Sequence, residues 1–196
     1  MREFLQDYLS QLREVLDELD PERLEELADR VHAARLAGRR VFIIGNGGSA
    51  ATASHYCCDF AKGASVPGLP RIKAMSLTDN VSLMTAVGND IDYDSLFSEQ
   101  LDVLVEPGDI LIAITASGNS PNILKAVELA KARGAFTVGL IGFGGGKLKP
   151  MVDLDITVRS RNYGPVEDMH LILDHVLAQY LRARAERESQ GTAAGA

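Results

Sequence analysis

A chain of 196 residues, 46% hydrophobic and 24% charged, is long enough for one domain with a full core and too short for two comfortable ones. A net charge of −7 argues against broad electrostatic binding to DNA or RNA. No apolar run approaches the ~18 residues of a membrane span, and MREFLQDYLS has no signal-peptide core. The two cysteines, Cys57 and Cys58, are adjacent, so they read as packing residues in a reducing cytoplasm rather than as a disulfide.

Residues 2–19 place Phe4, Leu5, Tyr8, Leu9, Leu12, Val15, Leu16 and Leu19 at helical spacing. Asp20-Pro21 then supplies an N-cap and a first-turn proline for a second helix ended by Gly38. The core sheet does not need these leading helices, so the first is a candidate for packing against another subunit. His32, on the second, is expected to be solvated or lightly packed.

From residue 40 the pattern alternates strand and helix, which predicts a mainly parallel α/β sheet. Expected strands are 40–45, 71–77, 109–115, 136–141 and 153–158. Helices are expected at 49–62, 79–87, 92–105 and 121–133, with a long closing helix from about 165 to 187. The expectation is therefore one domain over 1–187, a three-layer α/β sandwich with five strands, and a frayed tail at 188–196.

Two strand ends carry chemistry. The run Val41–Ile44 breaks at Gly45-Asn46-Gly47-Gly48, and Ser49 can cap a helix that bears His55 and Asp59 one turn apart. After DILIAIT comes Ala116-Ser117-Gly118-Asn119-Ser120-Pro121, with hydroxyls at Thr115, Ser117 and Ser120 and a helix N-terminus to follow. Either turn alone could be an unliganded cap. Two of them at the carboxyl ends of parallel strands suit one ligand with a phosphate and a sugar end. GNGGSA is not the G-x-G-x-x-G of a dinucleotide site, so no nucleotide cofactor is expected.

The motifs GNGGSAATASH, AVGND and ITASGNSPN, with a histidine-bearing last helix, resemble the sugar isomerase (SIS) domain family, and within it the bacterial phosphoheptose isomerases. The resemblance implies a flavodoxin-like sheet, a homotetramer with active sites at subunit interfaces, and aldose–ketose isomerisation of a phosphosugar through an enediol. It assigns the phosphate to Thr115, Ala116, Ser117 and Ser120. Sugar contacts fall to Asn46, Gly47, Gly48, Ser49, Asn89, Asp90 and Glu167. The chemistry falls to His55, Asp59, Glu167 and His175, with Asp59 as the base and His175 as the acid. Similar proteins carry zinc between residues matching His55, Asp59, Glu167 and His175.

Glu167 and His175 are eight residues apart, roughly 12 Å along a regular helix, so one ion joins them only if that helix begins irregularly near Pro165 or the side chains lean together. Three further departures lie in the site: Asp59 and Glu167 stand where the family has glutamate and glutamine, and Ala116 removes a hydroxyl. His170 is expected to be structural or to support the site from behind. Two other readings stand beside heptose isomerisation. One is isomerisation of another phosphosugar. The other is a non-catalytic SIS protein that binds a partner such as the replication initiator DnaA.

Overall fold

The structure, a computed structural model, describes residues 1–194. Five parallel strands, β1 (Arg40–Gly45), β2 (Lys73–Ser76), β3 (Ile110–Thr115), β4 (Phe136–Ile141) and β5 (Leu154–Thr157), form one sheet in the order β2-β1-β3-β4-β5. The central strands β1, β3 and β4 are almost continuously apolar because both their faces are covered, while the edge strand β2 is half exposed. Alternate residues of β1 divide between the two sides. Val41 and Ile43 join Leu27 and Val31 of α2 (Pro21–Leu36), Ala53 and Tyr56 of α3 (Gly48–Cys58), and Leu173 and Leu177 of α7 (Tyr163–Ala194). Phe42 and Ile44 join the opposite core, with Val87 of α4 (Val81–Asp90), Leu101 of α5 (Ser98–Leu104), and Ile123 and Val127 of α6 (Pro121–Ala132). Each fully buried Val, Leu, Ile or Phe among these contributes about 1.5–3 kcal/mol. The fold is the expected three-layer α/β sandwich.

The strand order reverses between β1 and β3, and that switch point carries the two turns singled out above. The leading helix α1 (Arg2–Asp17) buries only Val15. It packs on α7 through Leu12 and Val15 against Val166 and Met169, and the Tyr8 hydroxyl donates to Asp168 Oδ2 at 2.5 Å, which pushes the phenol up to about 12.

Some local details differ from the sequence expectation. His32 is buried, with Nε2 2.9 Å from Glu188 Oε1, while Arg35 Nη2 lies 3.4 Å from the other oxygen of that carboxylate. These pairs tie α7 to α2 at Glu188, one residue past 187, and the helix continues to Ala194 where a frayed tail was expected from 188. Residues 195–196 of that tail lie outside the described residues. The helix expected at 92–105 is a short 3-10 turn (Tyr93–Ser95) followed by α5. Ser49 does not cap α3: the cap is Gly47, at φ 56°, and Ser49 is buried inside the first turn.

Candidate active site

At the end of β1 the chain turns sharply into α3. A Cβ on Gly45 would lie 2.5 Å from the Ser49 carbonyl oxygen, so the turn closes only because residue 45 has none. Asn46 follows, and its amide exchanges two hydrogen bonds with Asn122 at the start of α6. Asn46 Nδ2 donates to Asn122 Oδ1 at 2.9 Å, and Asn122 Nδ2 donates to Asn46 Oδ1 at 2.8 Å. The Tyr93 hydroxyl also reaches Asn46 Oδ1, at 3.3 Å. Neither Asn122 nor Tyr93 was singled out in the sequence. Asn122 follows Ser120-Pro121 directly and is buried, a position where an amide has to find a partner.

The second turn leaves β3 beside the first. Gly118 N–H donates to Thr115 Oγ1 and Asn119 N–H to Ser117 Oγ, both at 3.3 Å. Gly118 has φ 65°, and a Cβ there would lie 2.2 Å from the Gly145 carbonyl oxygen. The loop after β4 therefore packs directly on this turn, and Leu148 N–H donates to the Gly118 carbonyl at 3.0 Å. Ser120 caps α6 by position but makes no side-chain cap bond, which leaves its hydroxyl for a ligand. Asn89 Nδ2 donates to Asp90 Oδ1 at 2.8 Å, and both residues are exposed at the end of α4.

The ionisable group lies where α3 meets α7. Past Cys58 the helix widens into a π turn, Asp59–Gly63, in which Ala64 N–H donates to the Asp59 carbonyl at 2.8 Å. Asp59 Oδ2 lies 3.7 Å from His55 Nε2, and His55 Nε2 lies 3.3 Å from His175 Nε2. The two rings meet edge to face. A fourth residue, missed in the sequence, completes the group: Asp174, whose Oδ2 is 4.0 Å from His55 Nε2. Asp174 is 0% exposed, and neither of its oxygens has a hydrogen-bond partner. Burial, with the charge of Asp59 added, pushes its carboxyl up to about 7. The signal was an acid inside the apolar run LILDHVL, four residues after His170 on one helix face. His170 is itself buried, and burial pushes its imidazole down to about 4.

Glu167 is the one member of the expected metal set that lies outside this group. Its carboxylate sits against Gly48, where a Cβ would meet Oε2 at 3.1 Å, so it faces the start of α3. The helix α7 is regular from Tyr163, and the eight-residue spacing keeps Glu167 two turns from His175. The donor set of two imidazoles and two carboxylates suits zinc. One ligand atom from each of His55, Asp59, Asp174 and His175 lies within 4.8 Å of the others, and the orphaned Asp174 carboxylate is the kind of buried charge a cation offsets.

Known proteins resemble this chain over most of its length. The phosphoheptose isomerase of Geobacter sulfurreducens is 35% identical over 188 residues, 92% of this chain and 98% of the relative. That of Rhodospirillum rubrum is 42% identical over 154 residues, 79% of this chain and 81% of the relative. Among solved structures, phosphoheptose isomerase from Neisseria gonorrhoeae superposes with a TM-score of 0.85 at 27% identity, covering 93% of this chain and 98% of that one. The Francisella tularensis enzyme gives 0.86 at 29% identity, covering 93% and 96%. Among the described residues no helix is long and apolar enough to cross a membrane. The SIS domain profile matches residues 3–142, which hold both ligand turns, His55 and Asp59, and the chain belongs to the SIS domain family.

Proposed function

We propose that the protein is a phosphoheptose isomerase, converting sedoheptulose 7-phosphate to D-glycero-D-manno-heptose 7-phosphate through an enediol. The observation that carries this reading is the convergence of His55, Asp59 and His175 at the far end of the helix that leaves one of the two Gly/Ser turns at the sheet's switch point. The relatives of the same length that bear this name support it.

The substrate phosphate binds at Thr115–Ser120, held by backbone N–H groups, the Ser117 and Ser120 hydroxyls and the α6 N-terminus. The sugar end lies along Asn46–Ser49, with Glu167 accepting from its hydroxyls and Asn89 and Asp90 contributing further contacts. Asp59 removes a proton from C1 and returns it to C2. His175 gives a proton to the carbonyl oxygen at C2 and recovers one from the hydroxyl at C1. The bond between His175 and His55 joins the same type of nitrogen on each ring, so one ring donates and the other accepts. Zinc held by this group supplies, when bound, polarisation of the reacting oxygen.

His55 is 45% exposed and His175 is exposed, whereas proton transfer at carbon needs a site closed to water. A neighbouring chain supplies that closure in this reading, which makes the protein a cytoplasmic homotetramer with active sites at subunit interfaces. The test is incubation with sedoheptulose 7-phosphate, followed by NMR. The expected outcome is the 7-phosphorylated aldose, with turnover reduced roughly 10²–10⁴-fold in Asp59→Asn and in His175→Ala while circular dichroism is unchanged. No conversion by the unaltered protein overturns the reading, and full rates in either variant overturn that residue's role.

A further inference from the structure

We infer that Asp174, and not Glu167, is the carboxylate that closes the cation site of this chain. The inference rests on the cation-holding part of the function proposed above and is independent of which sugar is isomerised.

Three observations converge on it. First, Asp174 is fully buried and both its oxygens lack a hydrogen-bond partner. A carboxylate withdrawn from water in that state is costly unless a cation or a proton meets it. Second, its surroundings are those of a ligand. Four tetrahedral ligands about 2.0–2.1 Å from zinc stand roughly 3.3 Å from one another. His55 Nε2 is 3.3 Å from His175 Nε2, 3.7 Å from Asp59 Oδ2 and 4.0 Å from Asp174 Oδ2. One ligand atom from each of the four residues lies within 4.8 Å of the others. Third, Glu167 is engaged elsewhere, against Gly48 at the opposite end of α3 from Asp59. Gly48 and His55 are seven residues apart, roughly 10 Å along that helix.

The substitution of function is chemically coherent. With Asp59 and Asp174 both ionised, two carboxylates lie within 4.8 Å of each other, and a divalent cation between them removes the repulsion. Two carboxylates and two neutral imidazoles then balance the ion's charge. Glu167, released from the metal, can face the sugar as a hydrogen-bond acceptor.

The test uses full-length protein stripped by a chelator and titrated with zinc by calorimetry, with no substrate present. The unaltered protein is expected to bind one zinc ion per chain. Asp174→Asn, which keeps the shape and removes the charge, is expected to lose at least about tenfold in affinity, and Glu167→Ala, which leaves no donor atom, to stay within about threefold. Zinc should raise the melting temperature of the unaltered protein and of Glu167→Ala, and that rise should shrink in Asp174→Asn. The visible spectrum of the cobalt-loaded protein should be the same in Glu167→Ala as in the unaltered chain. Should Asp174→Asn fail to fold, this spectrum carries the test: an unchanged spectrum supports the inference and an altered one overturns it. Zinc affinity retained in Asp174→Asn, a loss in Glu167→Ala equal to that in Asp174→Asn, or no zinc binding by the unaltered protein also overturns it. If zinc binds as expected while sedoheptulose 7-phosphate is not converted, only the substrate assignment falls.

Discussion

His170 shows how one side chain can couple the core to pH without touching a ligand. It is 1% exposed on α7, and burial holds its pKa at about 4, below the ordinary histidine value of 6.5. On lowering the pH, the unfolded chain takes up the proton from about 6.5, while the folded chain resists until about 4. Between those values the unfolded state binds more protons, so stability present above pH 6.5 is lost on acidification, by about 3 kcal/mol. His170→Gln should reduce the drop in melting temperature between pH 7 and pH 4.5; an unchanged drop would assign the acid sensitivity to other groups. The same scale explains which site residues could be read from the sequence. His55, Asp59 and His175 carry a recognisable spacing or motif, and they meet. Asp174 was missed because its meaning depends on how far α7 is rotated against α3. Glu167 was placed with the metal by resemblance, and the structure sets it outside the group of His55, Asp59, Asp174 and His175.

At the scale of elements, the turn at Thr115–Ser120 depends on a loop far away in sequence. Gly118 packs on Gly145 so closely that Gly118→Ala must displace the loop after β4 as well as strain a backbone at φ 65°. The expected result is a stability loss of about 1–3 kcal/mol and a raised KM for the phosphosugar with a smaller change in kcat. Thermal melts and steady-state rates check this, and an unaltered KM would remove the turn from phosphate binding. The strands and helices were legible because both sheet faces are buried, which forces short β-branched runs between amphipathic segments. The π turn at Asp59, the cap at Gly47 and the break at Tyr93–Ser95 were not, because each is a local backbone choice fixed by contacts across the fold. His32 likewise looked solvated among polar neighbours until α7 came down over it.

At the scale of the whole molecule, α1 is out of balance with the rest. Phe4 is 70% and Leu5 51% exposed on the single chain, with Leu9 and Leu16 along the same helix also exposed. A helix so apolar on its outward side is expected to be covered by a second copy of the chain. Light scattering should give a mass near four chains, and Leu5→Glu with Leu9→Glu should lower that mass and the turnover together; a fully active monomer would exclude an interface-built site. One feature described above acts across this same scale. The paired amides of Asn46 and Asn122 lock the end of β1 to the start of α6, so the two ligand turns cannot drift apart independently. In the function proposed above, the phosphate turn and the sugar turn are thereby held at one separation, and a sugar phosphate too short to reach from Thr115–Ser120 to Asn46–Ser49 loses its contacts at one of them.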